Sequence, residues 1–140
     1  MRGVLDMVTR FDMRQGVWEI MPPMPTPRRL CAAATVWSNL YVVGGENEEY
    51  PLWSLDRALR QFRQLPTTEC FNALTGVWST LEDMPTARAG CAAAAIGGLV
   101  HVFGGRVAEN VNNTAERLDT SLGRWESLPI MPTARSGCSC

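Results

Sequence analysis

The chain contains two short, almost continuously apolar stretches, and each ends at a pair of glycines. An apolar run of this length without alternation predicts a strand that is covered on both faces. The stretch before each run is made largely of alanine and cysteine, which predicts a strand in a crowded position. The apolar runs are residues 40–43, before Gly44 and Gly45, and residues 99–103, before Gly104 and Gly105; the small-residue stretches are 30–37 and 91–96.

Three tryptophans mark a pattern that repeats along the chain. Each follows a glycine by two residues and precedes a methionine by six, and a cysteine lies seven residues after that methionine. The methionines open the phrases MPTPR, MPTAR and MPTAR. The copies are 60 and then 47 residues apart. The marker residues are Gly16, Trp18, Met24 and Cys31; Gly76, Trp78, Met84 and Cys91; and Gly123, Trp125, Met131 and Cys138.

In this pattern the chain resembles the kelch-repeat family, whose period of about 50 residues is bracketed by the two spacings. A kelch unit has a paired glycine after an apolar strand, then an aromatic residue followed by Asp or Asn, then a glycine turn and a tryptophan. The resemblance covers nearly the whole chain. The matches are Phe11-Asp12, Phe71-Asn72 and the strand tyrosine Tyr41; the departures are Leu118-Asp119 and His101.

The resemblance implies an all-β fold, a kelch-type β-propeller in which each repeat is one four-stranded blade. Blades converge at the propeller axis, which explains the small side chains of the first strands, and the tryptophans are expected in the core between blades. The propeller is predicted to be incomplete, with two full four-stranded blades and partial blades at both ends. The predicted units are a partial blade at 1–21, a blade at 29–82 with a long insertion at 46–66, a blade at 89–129, and the start of the next blade at 130–140. The other predicted strands are 67–74, 77–81, 115–120 and 124–128.

An arc of this size leaves strand edges unpaired, since a propeller closes with about four to eight blades. The interpretation we favour is a fragment of a longer protein that supplies the missing blades. The alternative is self-association of copies to close the propeller.

Composition narrows the possible partners. The chain has 13 basic and 14 acidic residues, and this balance predicts neither nucleic-acid nor membrane binding. Every basic residue is arginine, so lysine-dependent chemistry is excluded. No apolar run reaches the roughly 18 residues of a membrane span, and no secretory leader is evident. We expect a cytoplasmic location, with the nucleus as the alternative.

The long connections between strands predict where a partner binds, because function on a rigid scaffold concentrates in loops. Arg28, Arg88 and Arg135 recur where this loop face meets the first strand of each unit. In kelch-type substrate adaptors of cullin ubiquitin ligases, similarly placed arginines contact acidic peptides, and the resemblance implies that role here. The alternative is a scaffold arginine paired with a carboxylate or carbonyl of the chain itself.

The insertion at 46–66 carries apolar residues at helical spacing, which predicts an amphipathic helix over the binding face. Arg57, Arg60 and Arg63 would form its basic stripe and bind an acidic partner. The alternatives are a disordered insertion and translated non-coding sequence. The apolar positions are Leu52, Leu55, Leu59 and Phe62.

Nothing in the sequence predicts catalysis, a metal site or a cofactor. His101 is the single histidine, no CxxC pair is present, and Glu48-Glu49 has no partner base. We therefore predict a protein-protein interaction module, with the substrate-recognition part of a ubiquitin-ligase adaptor as its specific form. The alternatives are an actin-associated kelch scaffold and, less favoured, part of a kelch-fold enzyme.

Overall fold

The computed structural model describes residues 4–49 and 61–138. Within these ranges every regular element is a β-strand, which confirms the all-β prediction. No helix of the described residues is long and apolar enough to cross a membrane. The strands are β1 (Val8–Asp12), β2 (Val17–Met21), β3 (Ala32–Val36), β4 (Asn39–Val43), β5 (Glu46–Glu49), β6 (Gln61–Gln64), β7 (Thr68–Asn72), β8 (Val77–Thr80), β9 (Ala92–Ile96), β10 (Leu99–Phe103), β11 (Arg106–Val107), β12 (Asn110–Val111), β13 (Ala115–Asp119) and β14 (Arg124–Leu128).

Two four-stranded antiparallel sheets form the body of the molecule. The first runs β3-β4-β7-β8 and the second runs β9-β10-β13-β14, each in chain order. Each sheet is therefore a meander, the form of a propeller blade. The pair β1-β2 repeats the third and fourth strands of such a blade. The predicted fold class, a partial kelch-type propeller, is confirmed.

The two blades pack face to face through a continuous hydrophobic core. Tyr41 and Val43 project from β4, Val100 and Leu118 project from the second blade, and all four are buried. Met84, in the segment that connects the blades, is buried among them. Each such side chain contributes about 1.5–3 kcal/mol through burial. Alanines on β3 and β9 let the two inner strands lie close together.

The paired glycines allow two backbone segments to lie close together where one blade meets the next. Gly44 has a φ of 63°, and a Cβ added there would lie 2.6 Å from the carbonyl oxygen of Arg88. The N–H of Gly45 donates a 2.9 Å hydrogen bond to that same oxygen. At Gly104 the corresponding Cβ would lie 2.4 Å from the carbonyl oxygen of Arg135. Only glycine allows this approach.

The same turn connects the third and fourth strands in all three units. The side chain of Asp12, Asn72 or Asp119 accepts hydrogen bonds from backbone N–H groups two and three residues later. A glycine four residues on donates its N–H to the carbonyl of the same residue. This geometry is why the repeat needs Asp or Asn at the end of the third strand. The N–H groups of Gln15 and Arg14 also lower the pKa of Asp12.

The repeated tryptophans are less buried than predicted. Trp18 is 70% exposed, and Trp78 and Trp125 are half-buried. The Trp78 indole donates a 2.9 Å hydrogen bond to the carbonyl of Pro22, and Trp125 donates one of 3.0 Å to Glu82. Because Trp78 and Trp125 lie on the outermost strand of their blades, each indole connects its blade to the segment that enters it.

The helix predicted in the insertion is wrong at its C-terminal end. Phe62 and Arg63 lie on β6, which pairs with β5 in an antiparallel ribbon. The pairing of Glu46 with Gln64 joins residues far apart in sequence, which outweighs the local helical spacing of apolar positions. Residues 50–60 lie outside the described residues, and with them Leu52, Leu55, Leu59, Arg57 and Arg60.

Candidate protein-binding face

The long connections of both full blades end on one face of the molecule, called here the loop face. In the first blade the β5-β6 ribbon extends from the end of β4, and in the second β11-β12 extends from the end of β10. Backbone bridges join Arg29 to Glu46 and Ala89 to Arg106. The segment entering each blade is thereby tied to the base of that blade's ribbon.

Arg28 lies beneath this face and is buried. Its Nη2 is 2.9 Å from Oε1 of Glu69, and its Nη1 donates a 2.8 Å hydrogen bond to the carbonyl of Gly44. Thr26 donates its hydroxyl to the same glutamate. Glu69 belongs to the blade that Arg28 enters, so Arg28 pairs with a carboxylate of the same repeat.

Arg88 repeats this arrangement in the second blade. Its side chain is 0% exposed, and its Nη2 is 3.0 Å from Oε1 of Glu116. Its Nη1 donates to the carbonyl of Gly104 at 2.7 Å, and its Nη2 to the hydroxyl of Thr114 at 2.9 Å. Neither guanidinium reaches solvent, so the burial of Arg28 and Arg88 does not favour their predicted contacts with a peptide. Their contacts to a glutamate and to a carbonyl of the chain itself agree with the alternative interpretation, a scaffold arginine.

Arg135 differs from its two counterparts because it is exposed. Its backbone joins the second blade, accepting from Gly105 and donating to Asn112. A binding role for Arg135 stays a prediction.

Of the predicted basic stripe, the structure describes Arg63. It lines a cavity of about 320 Å³ together with Glu48 and Asp83. The acidic surroundings of this cavity do not favour an acidic ligand. The roles predicted for Arg57 and Arg60 lie outside the described residues.

A second pair of arginines, absent from the sequence prediction, lies on the loop face at the base of the ribbons. Nε of Arg29 donates a 2.8 Å hydrogen bond to Oε1 of Glu46, and Nη2 of Arg29 lies 2.6 Å from the same oxygen. Arg106 approaches the other oxygen of Glu46, Oε2, at 3.7 Å. The guanidinium of Arg29 also covers the ring of Phe62 at 3.5 Å from its centroid, a cation–π contact.

These side chains line an open cavity of about 410 Å³, called here the ribbon cavity. The volume lies within the range of about 300–1,000 Å³ that is typical of ligand sites. Arg29 and Arg106 are 36% and 40% exposed, so both keep guanidinium surface for a ligand. The lining residues are Arg29, Glu46, Gln61, Phe62, Gln64, Arg106, Ala108 and Glu109.

The sequence signal for this site is that its residues differ between the two repeats, whereas the scaffold residues recur. Arg29 aligns with Ala89 in the second blade, and Glu46 aligns with Arg106. Arg28 and Arg88, which recur, serve the scaffold that each blade needs. Positions on the loop face that change from blade to blade are free of that requirement and can serve a ligand.

Cysteine chemistry is not favoured in the described part of the chain. Burial raises the pKa of Cys91 to about 11 and also raises the pKa of Cys31. Both thiols are therefore protonated near neutral pH and are weak nucleophiles and metal ligands. No group of three or more potential metal ligands occurs among the described residues.

Comparison with known proteins agrees with the blade geometry. Residues 87–132 match the family model described as the Kelch motif. The chain belongs to the kelch-repeat family. An F-box/kelch-repeat protein of Arabidopsis thaliana is 28% identical over 78% of the chain and 26% of its own length. Kelch-like protein 25 of Xenopus tropicalis is 30% identical over 74% and 15%.

Kelch-like ECH-associated protein 1A of Danio rerio is 29% identical over 78% of the chain and 17% of its own length. The chain therefore spans about a quarter or less of each of these relatives. The kelch repeats that the chain shares with these relatives support a protein-interaction module.

Proposed function

We propose that this kelch module binds an acidic segment of a partner protein in the ribbon cavity. The observation that carries the proposal is the pair of half-exposed arginines, Arg29 and Arg106, at the open side of one cavity. Carboxylates bind guanidinium groups through charge-assisted and often bidentate hydrogen bonds. Gln61 and Gln64 add neutral hydrogen-bonding groups for a peptide backbone.

Arg106 is the arginine best placed to receive a ligand carboxylate. Its distance of 3.7 Å from Glu46 exceeds that of a hydrogen bond, whereas Arg29 is held at 2.6 Å. The Arg106 guanidinium therefore has donors to offer without breaking a hydrogen bond to Glu46. Arg29 is fixed by Glu46 and Phe62, which provides a rigid second cation at the site.

Peptide titration tests this assignment. A capped alternating Gly-Glu peptide should bind, and a Gly-Gln counterpart should not. Arg106→Ala should weaken binding by about 1.5–3 kcal/mol, the contribution of hydrogen bonds to charged groups, and raised salt should weaken it further. The melting temperature should stay the same, because Arg106 is on the surface. Arg124→Ala, which removes an exposed arginine of β14, is the matched control and should bind normally.

The role of the whole protein that we propose is substrate recognition in a ubiquitin ligase. Supporting it is a relative whose name pairs an F-box with kelch repeats, alongside relatives named Kelch-like proteins. Complexes purified from cells that express the protein should then contain a cullin. Complexes that reproducibly lack a cullin and contain actin would contradict the adaptor role and support the scaffold alternative.

A further inference from the structure

Glu46 stands out among the residues of the ribbon cavity because its carboxylate is buried between the two arginines. Its side chain is 3% exposed, against 36% for Arg29 and 40% for Arg106. Glu109 also lines the cavity but is exposed. The cations Arg29 and Arg106 therefore both lie next to one largely desolvated anion, Glu46.

The contacts of Glu46 divide unequally between the arginines. The Nε and Nη2 contacts of Arg29 both reach Oε1, so a single oxygen of Glu46 holds that guanidinium. Oε2 faces Arg106 at 3.7 Å, which is attraction without a hydrogen bond. A carboxylate arriving at Arg106 would meet Oε2 as its nearest like charge.

Glu46 is not part of the recurring scaffold. The glutamates that hold the buried arginines, Glu69 and Glu116, occupy equivalent positions in the two full blades. Glu46 aligns instead with Arg106, so a charge of opposite sign occupies its place in the second blade. The blade fold does not itself demand a glutamate there.

We infer that Glu46 is an internal competitor for the arginine pair and sets which acidic partners bind. Its carboxylate already neutralises part of the positive charge that a ligand would use, and it repels a ligand carboxylate at Arg106. A partner segment with one carboxylate gains little binding free energy, because Glu46 repels that carboxylate. A segment with several carboxylates offsets the repulsion, because it binds Arg29 and Arg106 together. The inference rests on the proposed function, since it concerns the specificity of the same cavity.

The test is Glu46→Gln, which keeps the size of the side chain and the backbone bridge to Arg29 and removes the charge. The capped Gly-Glu peptide should bind this variant about tenfold more tightly than the wild-type chain, which corresponds to about 1.4 kcal/mol of binding free energy. The gain should shrink as salt is raised. Glu82→Gln, which removes an exposed glutamate outside the cavity, is the matched control and should change affinity much less, because exposed charges are screened.

Unchanged or weaker binding by Glu46→Gln would overturn the inference and make Glu46 a residue that only positions the arginines. An equal gain from Glu82→Gln would also overturn it, since the effect would then be general electrostatics. If Glu46→Gln does not fold, Arg29→Gln is compared with Arg29→Gln/Glu46→Gln, and the double variant should bind more tightly.

The proposed function fails separately from this inference. It fails if the wild-type chain binds the peptide and Arg106→Ala has no effect. If the wild-type chain shows no binding and Glu46→Gln does bind, competition by Glu46 is supported. If neither binds, both proposals are contradicted.

Discussion

Two arginine–glutamate pairs at equivalent positions in the full blades illustrate what a recurring charged residue does in this molecule. Arg28 with Glu69 and Arg88 with Glu116 are shielded from solvent, and each arginine also donates to a carbonyl at the end of the second strand. Desolvating such ions costs free energy that their mutual attraction must offset, and removing one partner leaves a buried charge unanswered. The pairs therefore hold the entry segment against its own blade.

We predict that Arg88→Ala lowers the free energy of unfolding by about 3–5 kcal/mol, because Glu116 would remain as an unpaired buried charge. Urea denaturation followed by circular dichroism measures the change. Arg124→Ala, at an exposed position, should lie within about 0.5 kcal/mol of the wild-type chain. A folded Arg88→Ala variant of normal stability that no longer binds the acidic peptide would restore the original assignment of Arg88 to the ligand.

Leu30 holds a backbone conformation that suits glycine. Its φ is 53°, and the aligned residues of the next two repeats are Gly90 and Gly137, with φ of 65° and 68°. The carbonyl of Leu30 accepts the N–H of Gly90, and that of Gly90 accepts the N–H of Gly137. This chain of hydrogen bonds joins successive repeats and fixes the left-handed conformation at each step.

Leu30→Gly should therefore stabilise the chain by about 0.5–1 kcal/mol, since glycine adopts this φ without the strain of a Cβ. Thermal unfolding monitored by circular dichroism should show a melting temperature several degrees higher. Leu74→Gly changes another exposed leucine at a turn, where no positive φ is required. This control should be neutral or slightly destabilising, and equal shifts in both variants would rule out backbone strain at Leu30.

At the scale of strands and ribbons, the sequence predicted the blades well and the insertion poorly. The predicted strand at residues 99–103 coincides with β10, and the strand predicted at residues 40–43 begins one residue late. These strands are bounded by local signals, namely apolar runs, paired glycines and Asp or Asn turns. The β5-β6 ribbon depends instead on pairing across residues 50–60, which no local spacing encodes.

The arginines that we propose as the binding residues, Arg29 and Arg106, were missed for a related reason. Residues that recur at a fixed spacing are easy to recognise in a sequence, and Arg28 and Arg88 recur because both full blades need their buried ion pairs. Arg29 and Arg106 come together only through the bridges that tie each entry segment to a ribbon. Their proximity is a property of the fold, although their departure from the repeat is visible in the sequence.

The last strand of each blade depends on its tryptophan for attachment to the preceding segment. Trp78→Ala removes the hydrogen bond to Pro22 and the packing on Phe71, whose ring centroid is 5.1 Å away. We expect a loss of about 2–3 kcal/mol, below the cost of a fully buried tryptophan. Trp78→Phe keeps the packing and should lose about 1 kcal/mol for the hydrogen bond.

Chemical denaturation of these variants beside Trp18→Ala provides the comparison. Trp18 is largely exposed, so its removal should cost about 0.5 kcal/mol. Equal losses for Trp18→Ala and Trp78→Ala would show that the indole hydrogen bond between segments is not what distinguishes them.

For the molecule as a whole, one face of the second blade lacks the cover that the first blade has. In the first blade this face is packed, with Val36 5% exposed and Val43 fully buried. The aligned residues of the second blade are Ile96, which is 67% exposed, and Phe103, which is half-buried. An apolar sheet face left open in this way favours association.

We predict that the 140-residue chain, taken by itself, associates in a concentration-dependent manner. Light scattering over a dilution series should report masses above 15.4 kDa that fall on dilution. Ile96→Glu, which places a charge on the open face, should shift the equilibrium toward monomer. A wild-type chain that stays monomeric at every concentration and melts cooperatively would show that the open face is tolerated without a cover.

The measurement that tests the central claim most directly is an NMR titration of the ¹⁵N-labelled chain with the capped Gly-Glu peptide, followed at the arginine Nε–H groups. The central claim is that the recurring arginines hold the fold while the non-recurring arginines bind the partner. The Nε–H signals of Arg29 and Arg106 should shift with a single saturable affinity, and those of Arg28 and Arg88 should not. Saturable shifts at Arg28 and Arg88, with Arg29 and Arg106 unmoved, would contradict the claim.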